Sequence, residues 1–579
     1  MPRLKSSRRI FANSTSLPFA LMALCMASTT NCTENGSSGK GGTGGGMAGN
    51  GGNSEGGNSA GGDSEGGNSA GGKAAGNSGQ TGGQATGGST NGGTPSGGTG
   101  SGGTGSGGTG TGGKATGGTP ATGGVGGTPM SRACVGQKIT GAGGDPQVLR
   151  SDMSIKKLYT PTGTAIRLKL NPIDNEMYIL TESGGISRVT LNGGTATTVP
   201  VIAAGNIGIA QGSNVYGMTI GADGSFYVVS HMPTTAVGFD KNSRATVWRG
   251  TPSAATWTWN KIAETVLYGR SNTFFDHEWS GIAVSADGMY VYVNAGSRTD
   301  HGEVQDAGGA WPNARESALT AAIFRFPTNG NNLTLMDNEK WLADNGYLFA
   351  RGIRNSFDPE FSPTGQLWAG ENGPDGDYHE ELNLLESGKH YGFPWRLGNE
   401  DNQMQFANYN AANDKRLDPD YGATRNGLWH NDLQFPAKPS GVTFVEPVLN
   451  LGPDANQYRD PTDGVVKKAS SQMPIGTFSD HGSPLGLTFD DGKGALCGEF
   501  SDSAFILRFG RAAGAFELGQ DLLHIKWNRS NGKVDNVNVT QIARNFLHPI
   551  DAVLIGSKMY LLDRGNNNDG GLYEIQLPK

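Results

Sequence analysis

The chain has 579 residues, a formal net charge of −7, 35% hydrophobic residues and 96 glycines. Its first 35 residues carry four basic side chains and one acidic, and residues 36–130 carry three of each, so the remainder is near −10. A domain that acidic is a poor partner for nucleic acid or an anionic membrane surface. The four cysteines show no CxxC and no His/Cys spacing for zinc or thiol redox chemistry.

Residues 1–35 read as an export signal. Arg3, Lys5, Arg8 and Arg9 precede an apolar stretch, Ser16 to Ala27, that is too short to span a membrane. Ser7-Arg8-Arg9-Ile10-Phe11 has the form of a twin-arginine signal, with an ordinary secretory signal as the alternative. Cys25 and Cys32 leave a lipid anchor open, although Leu24 and Asn31 are not the small residues usual before such a cysteine. The expected destination is the periplasm or cell surface.

Residues 36–130 hold 43 of the glycines and no aromatic residue, Leu or Ile. Such a segment buries too little apolar surface to offset its conformational entropy and is expected to be disordered. As a flexible coil it would span roughly 50–60 Å, a tether for the 131–579 domain.

That domain contains Cys134 and Cys497, which either pair or stay as two buried thiols. Helical periodicity is scarce. A strand–turn–strand pattern with a Gly or Asp turn recurs six times, starting at Ala165, Tyr216, Ser280, Ser356, Pro484 and Pro549. In most copies a third alternating strand follows. The longest gap holds an insertion between Trp395 and Ser483. Six similar units predict an all-β, six-bladed β-propeller, with a sandwich or β-helix as the alternative.

In a propeller, residues just before each innermost strand and just after each second strand share one face of the central channel. The first set is Tyr216, Asp276-His277, Arg354-Asn355, His481 and His548. The second is Glu182, His231, Asn294, Glu371, Glu499 and Asp563. Four of nine histidines fall in this ring, with Arg354 and several carboxylates.

Four motifs in order then narrow the reading: Arg354-Asn355, Glu371-x-Gly373-Pro374, Glu381-Leu382-Asn383 and Tyr391-Gly392-Phe393-Pro394. Together with Asp276-His277 before Ser280-Gly281 they resemble the soluble PQQ-dependent sugar dehydrogenases, the glucose/sorbosone dehydrogenase family. The resemblance covers roughly Thr164 to Leu577 and is strongest at Asp276–Gly288 and Gly352–Pro394. It implies PQQ and Ca²⁺ as cofactors and a small sugar as substrate. It implies His277 as the base that takes a proton from the anomeric hydroxyl, tuned by Asp276, with hydride passing to the quinone. Arg354 would stabilise charge on the quinone oxygens and Asn355 would hydrogen-bond the cofactor. His481 is a further cofactor or substrate contact. The carbonyls of Gly373 and Pro374 would bind the catalytic calcium, a hard ion that prefers oxygen. Asp375, Asp377 and Glu381 would serve a second, structural calcium.

The chain departs from the family in the fifth unit. Where basic residues face the carboxylates of PQQ, it has Gly498-Glu499-Phe500-Ser501-Asp502-Ser503, and two acids there would repel the cofactor. Arg544, Arg564, Arg425, Arg459, Lys467 and Lys468 are the residues available to compensate. Two further functions fit the architecture: a non-catalytic propeller binding glycan or protein partners, and a calcium-dependent lactonase-type hydrolase.

Overall fold

The computed structural model describes residues 133–134, 136–139 and 145–579, except 234–240, 255, 272, 511–518 and 566–568. The expected export signal and tether lie outside the described residues.

Six sheets follow one another along the chain, each with its first strand innermost. Blade 1 is Ala165–Leu170, Met177–Thr181, Ile186–Asn192 and Thr195–Ile202. Blade 2 begins with Asn214–Ile220 and Phe226–Pro233, and blade 3 with Trp279–Val284 and Tyr290–Ala295. Blade 4 has three strands, Glu360–Phe361, Leu367–Glu371 and Glu381–Leu385. Blade 5 begins with Pro484–Phe489 and Ser503–Arg508, and blade 6 with Pro549–Ile555 and Lys558–Asp563. The early strand Ser154–Tyr159 pairs antiparallel with Gly571–Gln576 and completes blade 6. One sheet thus contains both ends of the domain, which leaves no open edge at the seam.

Neighbouring blades meet around a closed ring through their innermost strands, the sixth against the first, except that blade 4 meets blade 5 through its second strand, Leu367–Glu371. They approach closely because small residues stand at the contacts. A Cβ on Gly217 would lie 2.0 Å from the Ser280 carbonyl oxygen, and one on Gly281 would lie 2.3 Å from that of Phe357. This accounts for the Tyr216-Gly217 and Ser280-Gly281 pairs at the start of two repeats. Between blades the core is aliphatic and aromatic, with Ile166, Leu180, Val229, Phe324, Ile506 and Leu561 fully buried.

Charged residues of the innermost strands also meet inside this ring. Lys169 of blade 1 reaches Asp358 at 3.4 Å, Glu360 at 3.6 Å and Asp551 of blade 6 at 3.3 Å. Asp551 also accepts the Leu168 N–H at 2.8 Å, and Asp358 the Leu487 N–H at 3.3 Å. Arg167 donates to the Phe357 carbonyl at 2.6 Å. These bonds tie together blades 1, 4, 5 and 6.

Two expectations are corrected. The second strand of the fifth unit is Ser503–Arg508, not the apolar run around Cys497. That run is a 3-10 turn, Gly498–Phe500. Its apolar side chains are buried for another reason: Cys497 is disulfide-bonded to Cys134, and Phe500 packs beneath the blade. Glu499 and Asp502 therefore belong to the connection that precedes the second strand, at the end of the blade away from the channel face. Glu499 pairs with Arg150 at 2.6 Å and Asp502 with Arg529 at 3.5 Å. The residue at the channel end of this strand is Arg508, opposite Pro484.

The insertion after Trp395 is built from short hairpins and turns around its own small core. Leu397, Met404, Tyr409, Ala423 and Trp429 pack there with Phe275 and Tyr378. It therefore covers the loops that carry His277 and Asp377.

Candidate active site

His277 precedes the innermost strand of blade 3, and its backbone N–H donates to the Ser297 carbonyl at 2.9 Å. Its Nδ1 lies 3.3 Å from both the carbonyl and the Oγ of Ser297. The Ser297 hydroxyl donates to the Thr299 carbonyl at 2.7 Å, so both partners of Nδ1 act as acceptors. The hydrogen of the neutral imidazole therefore sits on Nδ1 and the lone pair on Nε2. Nε2 is buried and has no protein partner. Burial first, then the nearby Arg354 guanidinium, lower the His277 pKa to about 3. The ring is neutral at any working pH.

Asp276 was expected to orient His277. Its carboxylate instead accepts the Ser271 N–H at 2.9 Å and the Glu278 N–H at 3.4 Å. It shapes the loop before the strand, and Ser297 holds the imidazole. Glu278 closes a neighbouring cluster with His231 at 3.2 Å, Arg270 at 3.3 Å and Asn214 at 3.0 Å. His231 also meets the Tyr268 hydroxyl at 3.0 Å.

Arg354 enters from blade 4 and is 2% exposed. Its Nε and one Nη hold Asp300 at 2.7 and 2.8 Å, and its other Nη donates to the Asn372 carbonyl at 3.0 Å. A guanidinium has five N–H groups, so one hydrogen remains on each terminal nitrogen. Asp300 is fully buried. Burial opposes its charge, but the His301 imidazole and Arg354 outweigh it and hold its carboxyl at about 2. Asn355 accepts from Asn294 Nδ2 at 3.3 Å, which joins blades 3 and 4.

The loop after the second strand of blade 4 follows. Asn372 Oδ1 is buried without a partner. Among the described residues no donor reaches the carbonyls of Gly373 or Pro374. Three oxygens on three successive residues are thus unspent.

The acidic side chains of this loop diverge. Asp375 accepts the Ala423 N–H at 3.3 Å. Asp377 takes His481 Nε2 at 2.8 Å on one oxygen and Arg459 on the other. Glu381 accepts from the Gly398 N–H at 2.8 Å and from Asn383 at 2.7 Å. Among the described residues no three His, Cys, Asp or Glu side chains come together as a metal site. The expected trio for a structural calcium is therefore not one convergent site. The reason is that the inserted segment supplies each carboxylate with its own donor. His481 stacks on Tyr421 at 3.9 Å.

Burial raises Glu371 and Glu380 to about 7. It raises Glu381 well above its usual range, with Glu371 opposite it across the strand pair adding to the effect. Asp480 is fully buried and neither of its oxygens has a partner. Burial, then Asp377, Glu400 and Glu380, push its pKa far up.

The other ring residues lie at the predicted strand ends. Glu182 faces Arg564 at 3.7 Å, and Asp563 accepts the N–H groups of Leu547 and His548 at 2.8 and 2.6 Å. His548 stacks on Phe509 at 4.3 Å, and Tyr216 is buried. Arg508 reaches Asp521 at 2.7 Å, and it and Glu380 both lie against Gly482. Sequence reasoning missed Ser297, Asp300, Asn372, Asp480 and Arg508. Ser297 and Asp300 lie three and six residues beyond Asn294, in a loop of which only the first residue had been assigned to the channel. Asn372 lies between two residues of a recognised motif.

Comparison with known proteins gives three results. Residues 169–444 match the family model described as Glucose / Sorbosone dehydrogenase. A segment of 139 residues is 32% identical to quinoprotein glucose dehydrogenase B of Acinetobacter calcoaceticus, covering 22% of this chain and 27% of that protein. The match thus spans about a quarter of that relative's length. Among solved structures, the soluble aldose sugar dehydrogenase from Escherichia coli aligns over 74% of this chain and 100% of its own, at 14% identity and a TM-score of 0.44. The PQQ-bound aldose sugar dehydrogenase from Streptomyces coelicolor aligns over 73% and 98%, at 16% identity and a TM-score of 0.41. The segment that matches this family model, residues 169–444, contains His277, Arg354, Asn355, Gly373 and Pro374.

Proposed function

We propose that the protein is an exported PQQ- and calcium-dependent dehydrogenase that oxidises an aldose sugar or a related alcohol. The observation that carries this reading is the pairing of a bare, buried His277 Nε2 with Arg354 inside the family segment. The donor set fits both cofactors. The unspent Asn372 Oδ1 and the carbonyls of Gly373 and Pro374 suit a hard cation. The spare N–H groups of Arg354 suit an anionic quinone. The acids that would have opposed it, Glu499 and Asp502, pair elsewhere.

When bound, PQQ supplies an ortho-quinone that accepts two electrons, and calcium polarises it. The residues of this chain do the rest. His277 accepts the hydroxyl proton of the substrate at Nε2, while its Nδ1–H stays on Ser297 and fixes the ring. Arg354, held by Asp300, is a fixed positive charge where negative charge grows. Its partners Asp300 and Asn372 keep it in place without using all its donors.

The test is titration of the purified protein with PQQ plus Ca²⁺, followed by absorbance and dye reduction on a panel of sugars. Reduction of a bound chromophore by an aldose supports the reading. No binding at micromolar PQQ overturns it and favours a propeller that only binds glycan or protein partners.

A further inference from the structure

The insertion between the fourth and fifth blades contains a second cavity, of about 830 Å³, outside the channel chemistry. That volume lies within the ~300–1,000 Å³ usual for small-ligand sites. From its lining we infer a binding site for a neutral oligosaccharide.

The charges of the wall are already spent. Arg396 pairs with Asp401 at 2.9 Å and Glu446 at 2.7 Å. Arg416 pairs with Glu400 at 2.6 Å and Asp414 at 3.0 Å. An anion would find no free guanidinium, and a cation would find each carboxylate engaged. What remains is amide chemistry. Gln403, Asn408, Asn410 and Asn413 line the cavity, and all but Gln403 are exposed. Asn410 caps the Ala412 N–H at 3.1 Å through its oxygen, which leaves its NH₂ for a ligand. Each amide offers donor and acceptor together, the pattern that a row of hydroxyl groups matches. Phe406 lines the same cavity and is 41% exposed, a ring with no polar handle left in solvent. An aromatic face beside amides suits the alternating C–H and O–H surface of a sugar.

The walls are preformed. Met404 is fully buried, the Tyr409 hydroxyl donates to Asp414 at 3.1 Å, and Asn402 holds the carbonyls of His301 and Pro394 at 2.7 and 2.8 Å. A ligand would meet a site that costs little to order. The Arg416 carbonyl also accepts the Asp377 N–H at 2.8 Å, so one residue joins this cavity to the acidic loop by the channel.

The experiment is calorimetric titration of the full chain with maltohexaose, cellohexaose, xylohexaose and chitohexaose, and with an oligogalacturonate as the acidic comparator. At least one neutral hexamer should bind. Phe406→Ala combined with Asn413→Ala should weaken it roughly tenfold or more. Asn408→Trp, which fills the cavity, should do the same, and neither change should lower the melting temperature, since all three positions are exposed. His277→Ala should leave this binding intact, which separates it from sugar bound in the channel. The inference is overturned by no neutral hexamer binding at millimolar concentration, by binding indifferent to the cavity variants, or by the acidic oligomer binding most tightly.

Discussion

Two buried polar clusters lie in the same ring of blades, and they are built on opposite terms. In the cluster around Lys169, every carboxylate oxygen of Asp358 and Asp551 has a donor, from Lys169 or from a backbone N–H. In the cluster around His277, a ring nitrogen, an amide oxygen and two carbonyls are left without one. A buried polar group without a partner costs free energy that a folded chain normally avoids. The first cluster therefore holds the blades together, and the second holds capacity in reserve for something that binds.

Removing the reserve should abolish chemistry and spare the fold. His277→Ala deletes the bare ring nitrogen beside Arg354. Sugar-dependent dye reduction should fall by about 10²–10⁴-fold, the range for loss of a positioned general base, with the unfolding midpoint little changed. An active His277→Ala enzyme would break the comparison, since the orphaned nitrogen would then have no use.

Breaking the satisfied cluster should do the reverse. Lys169→Met leaves Asp358 and Asp551 buried without their shared cation. Loss of one partner from such a pair costs about 3–5 kcal/mol, to be read from urea unfolding. A cost under about 1 kcal/mol would mean that the carboxylates take up protons cheaply, in line with the Asp551 pKa near 6.

A smaller effect sharpens the role of Ser297. Ser297→Ala keeps the backbone carbonyl but loses the hydroxyl, so the imidazole keeps one of its two acceptors. The expected result is a drop in kcat of roughly tenfold with little change in KM. The ¹⁵N signals of His277 should shift from a single Nδ1–H tautomer toward a mixture. An unchanged tautomer with a lower kcat would assign the loss to packing alone.

Much of this was legible in the sequence, and the failures have physical causes. Period-two alternation with Gly-Asp turns gave six innermost strands, and the ring rule placed His277, Arg354, Asn355 and His481 on one face. The same alternation misled at Cys497. An apolar residue there is buried by a disulfide and a turn, and alternation cannot distinguish that from a strand. One misassigned strand moved Glu499 and Asp502 to the wrong end of blade 5 and hid Arg508. The partners of the acidic loop were illegible because they come from the insertion. Arg459 and the Gly398 N–H lie 82 and 17 residues from the carboxylates they hold. Motif spacing correctly grouped Asp375, Asp377 and Glu381 along the chain, but their side chains point to three separate donors.

His524 gives the finest test, because it looks like His277 and lies elsewhere. Its Nε2 is also buried without a partner, and burial, then Lys526 and Arg150, lower its pKa to about 3. Yet it sits on Asp521–Ser530, the strand that follows Ser503–Arg508 in blade 5, stacked on Phe500 at 4.4 Å, with no Arg354 beside it. An orphaned nitrogen is therefore a site only where other unspent groups converge. Both histidines stay neutral in the fold, whereas an unfolded chain protonates them near pH 6.5. The unfolded state binds the extra proton between pH 6.5 and 3, so stability falls as the pH drops through that window. The slope is about 1.4 kcal/mol per pH unit for each such buried group. His524→Phe fills the same space with an apolar ring. It should remove one proton from the slope of unfolding free energy between pH 6.5 and 4 and leave sugar oxidation untouched. His277→Ala should remove one proton from the same slope and abolish oxidation. If the slope survives His524→Phe, His524 takes its proton in the folded state and the likeness between the two histidines is only geometric.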